Sequence, residues 1–254
     1  MPSDFPLQEF DAGRGVIEPG DIHRPHPQMP RQCILTLHPG QIDKIAARPD
    51  TRLLFQLRSC MGVHPIYVIE FEGRRIALAH PGLGAPLSVG LTEEIIARGG
   101  RQFIVTGTCG VLDGSIARGE AMLVRSALRD EGTSYHYQPA SRFAEASQRI
   151  GEVLREQLIV EEVSYREATS WTTDAFYRET PEKIRRRREE GCDIVEMECS
   201  ALFALGRFRR VDIGALLWAA DDVTGKAWEQ RKGHTPATKP DELLEVVLRA
   251  TGRL

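Results

Sequence analysis

The segment Asp193-Ile194-Val195-Glu196-Met197-Glu198-Cys199-Ser200-Ala201-Leu202-Phe203-Ala204-Leu205 constrains the fold more than any other. A β-rich entry leads into two carboxylates flanking a methionine, and an apolar stretch of helical character follows, so a strand gives way to a helix at Glu198. A carboxylate at such a boundary can point into a cleft and accept two hydrogen bonds from a vicinal diol, the pattern a ribose presents.

The same succession recurs along the chain. Residues 34–37 read as a first strand, 42–47 as a short helix, and 66–71 with 75–79 as two strands around the Glu72-Gly73 turn. Residues 87–98 read as a helix, and Phe103-Ile104-Val105 as a strand buried on both faces that ends in a glycine-rich bend. Elements continue at 121–126, 141–156, 165–169 and 212–218, and 241–250 reads as a closing amphipathic helix. Thr180-Pro181-Glu182 supplies a cap, a first-turn proline and an early acid for a helix that Gly191 closes, with the run 185–188 as its solvated basic face. Interleaved strands and helices imply a layered α/β domain around a mostly parallel sheet. Residues 1–31, rich in proline, glycine and charge, read as an extended N-terminal arm, disordered or packed across a neighbouring subunit, and 32–254 as a single domain.

The length of 254 residues, 41% of them hydrophobic, suffices for a sizeable core. A formal charge of -3 gives no general basic field, which argues against a polymeric nucleic-acid partner. Cys33, Cys60, Cys109, Cys192 and Cys199 are scattered without a CxxC pair, so neither a disulfide framework nor a zinc cluster is indicated, and no ligand spacing points to a metal or organic cofactor. No apolar run reaches bilayer length and no targeting segment is evident; the expectation is a soluble, cytoplasmic protein without a membrane partner.

Five segments carry a family resemblance: His80-Pro81-Gly82-Leu83-Gly84-Ala85-Pro86, Thr106-Gly107-Thr108-Cys109-Gly110, Thr173-Asp174-Ala175-Phe176-Tyr177, Val195-Glu196-Met197-Glu198 and Ala219-Ala220-Asp221-Asp222. In this order and spacing they resemble the landmarks of the nucleoside phosphorylase family, the superfamily of purine nucleoside and uridine phosphorylases and nucleosidases. The resemblance implies a three-layer α/β/α sandwich with a mixed, partly closed central sheet. It also implies cleavage of the N-glycosidic bond of a nucleoside or nucleoside analogue, and a homodimer or a hexamer built from dimers.

Such cleavage builds oxocarbenium character on the sugar and negative charge on the base, so it needs a sugar clamp and a partner for the departing base. The resemblance assigns the clamp to Glu198, with Met197 against the ribose face and Glu196 supporting the turn or a nearby cation. It places Asp222 at the base as proton or hydrogen-bond partner, a purine-like feature, with Asp221 beside it. Phe176 takes the place of an aromatic that stacks on the base, with Cys109 and Gly110 nearby. Thr180 and Glu182 stand where uridine phosphorylases read uracil with glutamine and arginine. Gly82, Gly84, Gly107 and Gly110 fall in bends where backbone N–H groups can cradle an anion; Gly82, Gly107 and Thr108 are the candidates for a phosphate or water site.

Inorganic phosphate, the possible co-substrate, is where the chain departs from the family pattern. Leu37 and Gln41 stand where the family has glycine and arginine, Val105 replaces the arginine before Gly107, and the cross-subunit arginine falls near Gly62. Arg58, Arg129 or Arg178 would have to substitute, or water replaces phosphate and the enzyme is a nucleosidase. His136, in the polar run 129–137, is a candidate proton carrier. Two further readings stay open: a cysteine hydrolase using Cys109 at a glycine-rich bend, and a non-catalytic nucleoside-binding protein.

Overall fold

The computed structural model describes residues 5–38, 40–225 and 227–254. The first residues of the expected arm, and Pro39 within the 37–41 segment, lie outside them. Among the described residues the chain opens with a 3-10 turn (Pro6–Gln8) and a short helix, α1 (Pro19–Ile22), then β1 (Gln32–Thr36) and α2 (Gln41–Ala46). An antiparallel meander follows, β2 (Thr51–Ser59), β3 (Gly62–Phe71) and β4 (Arg74–Ala79), and leads into α3 (Ala85–Arg98). The middle of the chain holds β5 (Gln102–Val111), β6 (Ala121–Asp130), β7 (Phe143–Glu145), α4 (Gln148–Val160) and β8 (Tyr165–Thr173). Then come α5 (Pro181–Glu189), β9 (Ile194–Glu196), α6 (Cys199–Arg209), β10 (Asp212–Asp222) and α7 (Pro240–Gly252).

These strands form one mixed sheet in the order β10-β6-β8-β9-β5-β1-β4-β3-β2, with β7 on β6. A further parallel pairing of β10 with β5 closes the first five strands into a barrel. The sheet is thus partly closed, as expected, and open on the side of β1, β4, β3 and β2. Alternation along its strands sorts side chains into two layers. Cys33, Leu35, Phe103, Val105, Ile213, Ala215 and Leu217 pack with α3 and α6, whereas Ile34, Ile104, Leu216 and Trp218 pack with α4 and α7. Apolar residues on both faces explain why β5 reads as an uninterrupted hydrophobic run.

Three elements differ from the expectations. The strand β2 carries exposed Arg52, Gln56 and Arg58 among its apolar residues, and this half-solvated edge hides its period in the sequence. The 141–156 region divides into β7 and α4 at Ser147, whose hydroxyl caps the helix. The arginine run is not wholly solvated. Arg187 lies one helical turn from buried Ile184, so it turns inward, pairs with Asp130 and Glu190 at 2.9 Å each, and covers the Trp171 ring at 5.5 Å. Arg185 stays outside with Glu182 and Glu189. No helix of the described residues is long and apolar enough to cross a membrane.

The described part of the N-terminal arm packs on its own chain. Arg209, near the end of α6, donates to buried Glu93 of α3 at 2.8 Å and to Glu18, just before α1, at 2.9 Å. His23 meets Glu94 at 2.9 Å, and Phe10 stands edge-on to Phe208. Removing Arg209 leaves Glu93 a buried carboxylate without its cation. Arg209→Ala is therefore expected to cost on the order of 2 kcal/mol, below the value for a fully buried pair because the guanidinium keeps some solvent contact. Chemical denaturation measures the loss, and limited proteolysis should show earlier cleavage around residues 9–23; an unchanged midpoint and cleavage pattern would contradict this role.

Candidate active site

A cavity of about 460 Å³ lies where β5, β9 and β10 meet the turn after β8. Thr108, Cys109 and Gly110 of β5 form one wall. Val195 and Glu196 of β9, with Met197 after it, form the next. Phe176, Tyr177 and Glu179 come from the short 3-10 turn Phe176–Arg178 and the residue that ends it, and Asp221 and Trp228 close the ring from β10 and the loop beyond. Gly110 sits where space is tight: a Cβ there would meet Val195 Cγ1 at 3.0 Å and lie in contact with Asp221 Oδ2 at 3.6 Å.

The carboxylate that organises this wall is Glu196. Its Oε1 accepts from Ser170 Oγ at 2.8 Å and Thr172 Oγ1 at 2.5 Å, and its Oε2 accepts from the backbone N–H groups of Glu198 and Cys199 at 2.7 Å each. All these acceptor positions are taken by the protein, so Glu196 builds the strand-to-helix turn rather than offering itself to a sugar. Met197, between the two acids, is half-buried and lines the cavity.

Glu198 follows directly at the N-cap of α6 and is 4% exposed. Its Oε1 accepts the Gly84 N–H at 2.6 Å, which ties the glycine bend before α3 to the turn before α6. Burial, and after it the charge of Glu196, push the Glu198 carboxyl up to about 8, against the pull of the Gly84 and Met197 backbone groups toward the anion.

Of the paired aspartates, Asp221 and not Asp222 faces the cavity. Its Oδ2 accepts from Trp228 Nε1 at 2.6 Å. Asp222 exchanges backbone hydrogen bonds with Glu229, and its Oδ1 accepts from the Thr224 N–H at 2.7 Å, so it holds the loop that follows β10. The cause is a bulge: β10 pairs Ala219 with Cys109 but Asp222 with Val111, one residue more on β10 than on β5. Phe176 stands at the cavity, half-exposed, with its ring 4.1 Å from that of Tyr177.

The remaining candidates fall elsewhere. Gly82 and Gly107 make room for neighbours, since a Cβ at Gly82 would meet Leu87 at 2.4 Å and one at Gly107 would meet Leu37 at 2.8 Å. The Gly82 N–H is taken by His80 Nδ1 at 3.0 Å, and burial, then His64, holds His80 below its usual range and so neutral. Arg129 is buried with Ser134, Pro139, Ser141 and Gln138 accepting from its Nε and both Nη atoms, and its guanidinium stacks on Tyr135; it braces the 133–143 loop and lines no part of the cavity. His136, Arg178 and Arg58 are exposed and line no part of the cavity. Gln41 bonds Thr36 and the Pro240 carbonyl, and Val105 is core. Burial, then Glu196 and Asp221, drive the Cys109 thiol far up, the reverse of an activated thiolate.

Glu179, Trp228 and Tyr177 were not singled out from the sequence. The available signal was an aromatic pair followed by an acid, 176–179, placed after a strand. Burial, then Asp221, raise the Glu179 carboxyl to about 7.

The raised Glu198 has a consequence for stability. An unfolded carboxyl ionises near 4.5, whereas the folded one keeps its proton up to about 8, so this group makes folding less favourable as pH rises across that window. Glu198→Gln keeps an acceptor for Gly84 and removes the titration. Its Tm, followed by calorimetry from about pH 5 to 9, should fall less steeply than that of the parent and exceed it near pH 8; parallel curves would refute the assignment.

Comparison with known proteins identifies the family of the chain. Residues 33–248 match the family model described as the phosphorylase superfamily. Guanosine phosphorylase of Halorubrum lacusprofundi is 27% identical over 206 residues, 79% of each chain. A DeoD-type purine nucleoside phosphorylase of Bacillus cytotoxicus is 25% identical over 188 residues, covering 71% of this chain and 77% of that one. In fold, the chain is similar to purine nucleoside phosphorylase from Toxoplasma gondii with a TM-score of 0.80 at 18% identity, covering 91% of this chain and 96% of that one. Uridine phosphorylase from Vibrio fischeri gives 0.69 at 22% identity, with 90% of each chain covered. The model match spans most of the sequence and runs from β1 into α7, through every strand and loop that builds the cavity: the chain belongs to the phosphorylase superfamily.

Proposed function

We propose that this protein cleaves the N-glycosidic bond of a nucleoside or nucleoside analogue held in the cavity between Met197, Phe176 and Asp221. The observation that carries the reading is Glu198: a buried carboxylate, fixed from Gly84 across to α6, one residue beyond a methionine that lines the cavity wall. A diol that reached it would supply the hydrogen bonds that favour its ionised form, and the sugar would rest against Met197 while the base reached Phe176 and Asp221. Oxocarbenium charge would then develop beside two acids, and the base would depart toward the aromatic wall.

Phosphate as acceptor is favoured by the curated relatives, which are named as guanosine and purine nucleoside phosphorylases. Water is the second reading, and a specific observation favours it. Arg129 is buried with each of its three nitrogens already donating to a protein oxygen, and the Gly82 and Gly84 N–H groups are bound to His80 and Glu198. A non-catalytic nucleoside binder would need no acid at the base, and the cavity holds two, Glu179 and Asp221.

Turnover of purine, pyrimidine and modified-base nucleosides, with and without inorganic phosphate, tests the proposal. Phosphate-dependent sugar 1-phosphate identifies a phosphorylase, and free sugar formed equally without phosphate identifies a nucleosidase. Glu198→Ala should lower kcat/KM by about 10²-fold or more, because it removes a positioned charge-assisted contact. Full activity in that variant, or saturable binding without any product, sinks this reading.

A further inference from the structure

Among the acids that line the cavity, Glu179 has been given no step in the reaction so far. Glu179 ends the 3-10 turn that carries Phe176 and Tyr177, it is half-buried, and its carboxyl makes no hydrogen bond or ion pair with any described residue. It faces Asp221, which is itself held by the Trp228 indole. Glu196 and the Cys109 thiol also line this space, the first engaged by four donors and the second buried. Among the described residues no lysine or arginine lines the cavity. A base that left as an anion would therefore depart into a field of carboxylates, with no described cation to receive it.

Resting on the reading of this cavity as a site of N-glycosidic cleavage, we propose that Glu179 is the catalytic residue that protonates the departing base, with Asp221 as the fixed negative charge beside it. As the bond between sugar carbon and base nitrogen breaks, its electron pair stays on the base, and Glu179 gives its proton to a base nitrogen, so that a neutral base leaves and a carboxylate remains. The sugar cation is taken by an oxygen of the acceptor, phosphate or water, whose own proton goes to solvent, and Glu179 recovers a proton before the next turnover. The unengaged carboxyl suits this role, because a group already bound to the protein would have to break that contact to reach the base. Asp221 differs: the Trp228 indole donates to it at 2.6 Å and holds it in place, and burial, then the charge of Asp221, keeps Glu179 protonated up to about 7. The acid form of Glu179 is thus populated below about 7, and cleavage of neutral nucleosides should decline as pH rises past that value.

A substrate that needs no proton gives the test. A purine nucleoside methylated at a ring nitrogen carries a permanent positive charge, and its base leaves neutral without an acid. In Glu179→Gln, kcat on an uncharged purine nucleoside should drop by about 10²-fold or more, while the methylated one loses less than about threefold. The alkaline decline in kcat/KM should vanish in this variant, and in Asp221→Asn it should move to lower pH, because removing the neighbouring charge weakens proton retention by Glu179. Equal losses on both substrates, or full activity on the uncharged one, overturn the proposal while leaving glycosidic cleavage intact. A parent protein that turns over neither substrate overturns this proposal and the function beneath it together. The Glu179 side chain has no bonded partner among the described residues, and at about pH 5 its carboxyl keeps its proton in the folded chain, so the Tm of the Gln variant at that pH should match that of the parent; a matched Tm verifies that the loss is chemical.

Discussion

The Glu196 carboxylate is the interaction on which the site depends. One side chain at the end of β9 receives two hydroxyls from β8 and two backbone N–H groups from the first residues of α6. Charge-assisted hydrogen bonds of this kind are stronger than neutral ones, and here they satisfy donors that the start of a helix leaves without partners. The result is a rigid turn that delivers Met197 to the cavity and Glu198 to Gly84. Ser200, one turn along, adds bonds to Thr172 and Glu131, so the same junction reaches the loop that follows β6.

Barrel closure makes that junction a site. β5 pairs with β1, β9 and β10, which brings the 108–110 segment against Val195 on one side and Asp221 on the other. Gly110 permits the approach, and the β10 bulge selects the acid that faces inward. Three acids then line the cavity: Glu196 is fully bonded, Asp221 accepts from the Trp228 indole, and Glu179 has no bonded partner among the described residues, while Glu198 lies buried behind them and bonded to Gly84. Burial, and after it a neighbouring carboxylate, holds two of these acids in the protonated form longest, Glu198 up to about 8 and Glu179 up to about 7.

Much of the fold was legible. The 193–205 segment announced a strand-to-helix switch, and the structure puts β9 and α6 there. The apolar run 103–105 announced a doubly buried strand, because a strand covered by helices on both faces loses its polar alternation. β2 was not legible, since an edge strand with solvated arginines has no clear period, and Arg187 was misjudged because a charge run does not reveal which member lies beside Ile184 on the inner face.

The sequence by itself determined the family, the order of the elements and the residue types available for chemistry, because these follow from local period, turn residues and linear spacing. Only the tertiary structure decided which acid faces the cavity, since a single extra residue in β10 re-aims the Asp221-Asp222 pair and no linear pattern marks a bulge. It decided equally that Arg129 is a brace and that Glu179 is an acid without a bonded partner among the described residues. Whether a charge is engaged is set by partners from distant strands and loops, and Asp221 lies far along the chain from Glu179.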